Sequence, residues 1–154
     1  EFSEFLKFNN DFVLIILGEG EEKKKLIHLI NQKKLKDKIF LLGFKKDIFD
    51  YMKNSEIFIL SSLWEEVGFV IVEAALSNLL IISSDCPNGP KEFLDNGSGG
   101  FLFKSNSLTS FEKAFNKFNE SNKKTLIQKI NYSKNKSKIY SLENHTKLIT
   151  KYLI

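Results

Sequence analysis

The chain has 154 residues, 42% of them hydrophobic and 27% charged, with a formal net charge of +4. That length suits one buried core and is short for two domains, so one globular domain is expected. All 23 basic residues are lysine, a single cysteine, Cys86, excludes an internal disulfide, and no Cys/His cluster stands at metal-ligand spacing.

The net charge argues only weakly for an anionic partner. No apolar run approaches the roughly 20 residues of a membrane span, and the first residues lack the basic-then-apolar order of a secretory leader. A soluble chain in a reducing, cytoplasmic setting is expected.

In chain order, FVLIIL (12–17) reads as the first strand, followed by GEGEE (18–22). Gly18 and Gly20 free that turn for a ligand, but Lys23 leaves a GxGxxG fingerprint incomplete, and a plain turn is the simpler reading. A helix is predicted over 21–35, a strand over IFLLGF (39–44), a helix over 46–54 and a strand over IFIL (57–60).

The next elements are a helix over 68–77, a strand over LLIIS (79–83), a strand over GFLF (100–103) and a helix over 107–119. Successive apolar residues suit strands buried on both faces, and the alternation with helices predicts an α/β, doubly wound parallel sheet. Ligands in such sheets sit beyond the carboxyl ends of the strands. Polar, lysine-rich sequence then leads to a last amphipathic stretch after Ser141, a good N-cap residue. Residues 1–120 are read as the sheet domain and 121–154 as its helical extension.

The segment LWEEVGFVIVEAALSN (63–78) carries the most chemistry. Glu65 falls in the loop after a strand, Gly68 opens a helix, and Glu73 falls on that helix's second turn. A phosphate can approach the N–H groups of Phe69 and Val70 where Gly68 has no side chain, and the helix dipole favours an anion there. Ionised carboxylates suit the vicinal hydroxyls of a sugar. A pair of glutamates around a phosphate site outlines a nucleotide sugar. The plain alternative is an exposed loop glutamate, a solvent-facing helix glutamate and an FVIV core run.

The stretch SSDCPNGPKEFLDNG (83–97) holds both prolines and reads either as a rigid loop at the same edge or as an ordinary connection. Cys86 reads as a loop thiol, His28 as mid-helix among apolar neighbours, His145 as part of the terminal helix and Trp64 as a packing residue.

SLWEEVGFVIVEAALSN followed by IISSDCPNGPKE resembles the nucleotide-sugar-binding, C-terminal half of GT-B glycosyltransferases of the retaining family 4, of the bacterial capsule and lipopolysaccharide type. LIILGEGEEKKKL, IFLLGFKKDIFDYMKNSEIFILSS, NGSGGFLF and YSLENHTKLITKYL extend the likeness over nearly the whole chain.

The resemblance implies a Rossmann-like donor domain that binds a nucleotide-diphosphate sugar and moves the sugar to a glycan or lipid-linked acceptor. It implies no metal or other cofactor and no nucleic acid, and it admits a peripheral contact with the inner membrane. Glu65 would contact the donor sugar and support charge developing in transfer. Val67, Gly68, Phe69 and Val70 would meet sugar and diphosphate through main-chain groups. Glu73 would hold the ribose, Gly43, Phe44 and Lys45 would border the base, and Gly18 would shape the neighbouring turn.

Two departures stand out. Glu66 and Val67 replace the glycine and aromatic usual after the first glutamate of the family. The Gly-Arg element that precedes the first strand seen here has no counterpart, since the chain has no arginine. The resemblance therefore predicts an absent central strand between those at 12–17 and 57–60 and an absent N-terminal acceptor domain. It gives a fragment, expected to be inactive in transfer alone. The alternative is a nucleotide-binding or interaction module without transfer activity.

Overall fold

The computed structural model describes residues 11–66 and 68–141, together with residues 144, 146 and 150. It confirms the α/β class, with parallel pairing throughout the described strands. The chain divides into two compact units, one up to Ile48 and one from Phe49 onward, each described by itself.

The first unit holds β1 (Leu14–Leu17), α1 (Lys23–Gln32) and β2 (Ile39–Gly43), with β1 and β2 in one parallel ladder. The register slips between Ile16 and Leu17, so that Leu17 faces Gly43 rather than the residue before it. Such a bulge re-aims the strand end. It lets the Gly18 N–H donate to the Gly43 carbonyl at 2.9 Å.

The expectation of burial on both faces fails here. Along β1 and β2, Ile15, Phe40 and Leu42 are exposed, as is Val13 just before β1, and α1 has no buried residue. The two strands thus alternate as in a half-covered sheet. His28 sits mid-helix on α1 between Ile27 and Leu29, as expected, and is exposed.

The second unit holds α2 (Phe49–Lys53), β3 (Ile57–Leu60), α3 (Phe69–Leu76), β4 (Leu80–Ser84), α4 (Pro90–Phe93), β5 (Phe101–Phe103), α5 (Leu108–Glu120) and α6 (Lys123–Ser137). Its ladder runs β3-β4-β5.

Here the double burial holds. All five residues of β4 are buried, and Ile71, Ala74, Ala75, Leu94 and Phe115 complete the core. Burying one such large aliphatic side chain contributes on the order of 1.5–3 kcal/mol. Aromatic rings close the α5 side, with Phe103–Phe111 and Phe115–Phe118 edge to face at 5.3 Å.

Helix α5 starts where Ser107 accepts the Ser110 N–H, and α6 starts where the Asn122 side chain accepts the Thr125 N–H at 3.0 Å. α6 packs on α3 and β4, bringing the buried Ser133 and Ser137 into the interior that also holds Ala74 and Ala75. Its lysines fasten the surrounding loops. Lys129 donates to the Gly97 and Gly100 carbonyls and lies 4.8 Å from the Phe101 ring centroid, while Lys134 donates to Asn78 at 2.7 Å. The terminal stretch begins as expected, with the Asn144 N–H donating to Ser141; its Leu142, His145, Leu148 and Leu153 lie outside the described residues. Among the described residues no helix is long and apolar enough to cross a membrane.

Candidate functional site

The β3–α3 loop carries Glu65 at the carboxyl end of β3, where the sequence places it. Gly68 caps α3 with φ 58° and ψ 52°, a left-handed conformation open to glycine and costly for other residues. A Cβ at Gly68 would lie 3.6 Å from Oε2 of Glu65, so the carboxylate rests against the bare face of the glycine.

The other oxygen of Glu65 is fixed. Ser62 Oγ donates to Oε1 at 2.6 Å, and the Ser62 carbonyl accepts from the buried Ser84 hydroxyl, also at 2.6 Å. The loop is thereby tied to the end of β4, and Glu65 keeps one oxygen for a ligand. Sequence reading missed both serines, although Ser62-x-x-Glu65 is a spacing at which a short loop closes on itself.

At the helix start, the Ile71 N–H turns back to the Gly68 carbonyl at 2.9 Å. The Phe69 and Val70 N–H groups have no acceptor among the described residues, and helix geometry leaves such first-turn donors for a cap or a ligand. Glu73 is half-buried one turn further along, with no partner for its carboxylate among the described residues. Glu66 is exposed, and Val67 lies outside the described residues.

One expectation about a side chain is corrected. Trp64 is not a packing residue: it is 58% exposed, beside Leu63 at 61% and near Phe69 at 62%. Cys86 lies in a loop, as expected, and is buried.

In the first unit, Gly18 and Gly43 meet through their hydrogen bond, and Gly43 is left-handed at φ 70°. A Cβ there would fall 2.6 Å from Glu19 Oε1, which is paired with Lys23 at 2.7 Å. The turn borders an open cleft of about 160 Å³ lined by Ile16, Gly18, Glu19, Glu22, Lys23 and Leu41. Phe44 is 75% exposed and Lys45 half-buried. Among the described residues no three His, Cys, Asp or Glu side chains gather as a metal site.

The fold is a parallel α/β one with a glycine-capped helix after a carboxylate-bearing loop, and residues 2–138 match the family described as glycosyl transferases group 1. The chain belongs to that family. It is 48% identical over 81 residues to an uncharacterized glycosyltransferase of Methanocaldococcus jannaschii, covering 53% of this chain and 20% of that protein. It is 35% identical over 118 residues, 74% of this chain and 30% of the relative, to an Escherichia coli UDP-Gal:alpha-D-GlcNAc-diphosphoundecaprenol alpha-1,3-galactosyltransferase.

Among solved structures, Anabaena HepE in complex with UDP-glucose superimposes with a TM-score of 0.77 at 27% identity, over 92% of this chain and 40% of that one. The chain thus spans about a fifth to two fifths of the length of the proteins it matches.

Proposed function

We propose that the chain is the donor-binding half of a retaining glycosyltransferase that moves a sugar from a nucleotide-diphosphate sugar to a glycan or lipid-linked acceptor at the cell surface. The observation that carries this reading is the α3 start. Gly68 presents no side chain of its own, two main-chain N–H groups stand without an acceptor among the described residues, and Glu65 is held against the glycine with one oxygen uncommitted among them.

In this reading the diphosphate accepts from Phe69 and Val70, where the helix dipole favours an anion without any metal. Glu65 receives a sugar hydroxyl and stabilises positive charge that develops at the anomeric carbon during transfer. Glu73 accepts from the ribose hydroxyls, and Gly18, Gly43, Phe44 and Lys45 border the base. The main chain of Val67 joins the phosphate contacts. Transfer requires an acceptor-binding domain in addition to these residues, and the acceptor chemistry of the relatives gives the working class.

Saturation-transfer NMR of the chain against a panel of nucleotide sugars tests the reading. Transfer to ribose and anomeric protons of one donor, competed by its nucleoside diphosphate, is the expected result. Absence of transfer from every member of the panel would overturn it.

A further inference from the structure

The sequence contains two Asn-Gly pairs, Asn88-Gly89 and Asn96-Gly97, and the fold treats them differently. Both asparagines are exposed with left-handed backbones, φ 65° and 53°. The Gly97 N–H is engaged by the Leu94 carbonyl at 3.0 Å, and the turn around it is closed by Ser98 and Gly99 N–H bonds to Asp95 and Leu94. The Gly89 N–H has no acceptor among the described residues, and neither does the Asn88 side chain.

We infer that Asn88 is a site of spontaneous deamidation in the folded protein, and that Asn96, its equal by sequence, is protected. The Gly89 nitrogen attacks Cγ of Asn88, a C–N bond forms, the Cγ–Nδ2 bond breaks, and ammonia leaves with the proton from Gly89. Water then opens the five-membered imide at either carbonyl, giving aspartate or isoaspartate, with no change in oxidation state. Glycine favours the attack because no Cβ shields its nitrogen and its backbone samples many conformations. At Asn96 the same nitrogen must first give up its hydrogen bond, so reaction waits on a local opening.

The site has a defined place. Asn88 lies in the connection that leaves the carboxyl end of β4, whose Ser84 is bonded to the Glu65 loop. Deamidation there adds one negative charge at the sheet edge that carries Glu65. The isoaspartyl product also lengthens the backbone just before Pro90 opens α4.

The test is peptide mapping by mass spectrometry of the full chain aged in mildly alkaline buffer, folded and in denaturant. In the folded chain Asn88 is expected to convert about tenfold faster than Asn96, the factor given by about 1.4 kcal/mol of added protection. In denaturant the two rates should approach each other. Asn88→Gln should remove the early acidic species, since its side chain cannot close the five-membered imide. Equal rates in the folded chain, faster reaction at Asn96, or a tenfold ratio that persists in denaturant would each overturn the inference.

Discussion

The Ser62 hydroxyl donates to Oε1 of Glu65 at 2.6 Å, which fixes the plane of the carboxylate and leaves Oε2 against Gly68. A hydrogen bond to a charged group is worth about 1.5–3 kcal/mol. Ser62→Ala is therefore expected to weaken donor binding, because Glu65 is no longer held in place, and to lower stability by up to about 1.5 kcal/mol, the low end of that range, because the loop is part-exposed. Calorimetric titration with the donor identified by NMR reads the first, and chemical denaturation the second. Unaltered affinity would separate this pair from the site.

Glu73 makes a different prediction because its carboxylate has no partner among the described residues. Glu73→Gln keeps the shape and removes the charge, so stability should hold while donor affinity falls by roughly 1–3 kcal/mol. If titration gives the same affinity for both proteins, the ribose is held elsewhere.

Gly68→Ala tests the backbone. The added methyl would stand 3.6 Å from Glu65 Oε2, an ordinary contact, so sterics at the carboxylate do not decide the outcome. The left-handed φ of 58° does. The expected loss is about 1–2 kcal/mol of stability, seen as a lower denaturant midpoint with an unchanged slope. A neutral result would mean that the loop relaxes to another conformation at no cost.

Much of this was legible from residue order. The strands at 57–60 and 79–83 and the helix at 68–77 fall within a residue or so of β3, β4 and α3, because continuous apolar runs bounded by Gly, Ser and Asn leave little choice. α6 was read only as part of a helical extension, since its lysines hide the helical period; in the fold Lys129 and Lys134 reach distant loop groups, which sequence spacing does not reveal. The half-covered faces of β1 and β2 were invisible for a different reason. A run such as LIIL fits burial on both sides, and what packs on it is set by the rest of the fold.

Alkaline stability should show two opposed terms on α6. Burial, and secondarily the charge of Lys117, holds the half-buried Lys129 below its ordinary 10.5. The unfolded chain then binds more protons between the lowered value and 10.5, and stability rises with pH across that window. Tyr132 is raised above 10.0, first by its hydrogen bond to Asp95, then by burial and the Asp95 charge. Its contribution is full below 10.0 and is lost as pH climbs through the raised value. Melting temperatures measured across this range should lose the rise in Lys129→Met and the later fall in Tyr132→Phe; identical pH profiles for wild type and both variants would dismiss the two terms.

The unequal burial of the two ladders makes the last prediction. Exchange of a backbone amide requires local or global opening, and the cost of local opening follows the apolar surface that the opening exposes. β4 is buried at all five positions and is flanked by β3 and β5, so its amides have no route to solvent short of dismantling the second unit. β1 and β2 pair only with each other among the described strands and show Ile15, Phe40 and Leu42 to solvent, and the helix between them in sequence has no buried residue. A two-stranded ladder of this kind is marginal by itself. Hydrogen exchange followed by mass spectrometry should therefore give fast exchange in peptides spanning Leu14–Leu17 and Ile39–Gly43 and slow exchange in Leu80–Ser84, the separation reaching at least two decades if the openings differ by about 2.8 kcal/mol. Equal protection of the two ladders in the unliganded chain would show that both open together, and that the exposed faces of β1 and β2 do not weaken them.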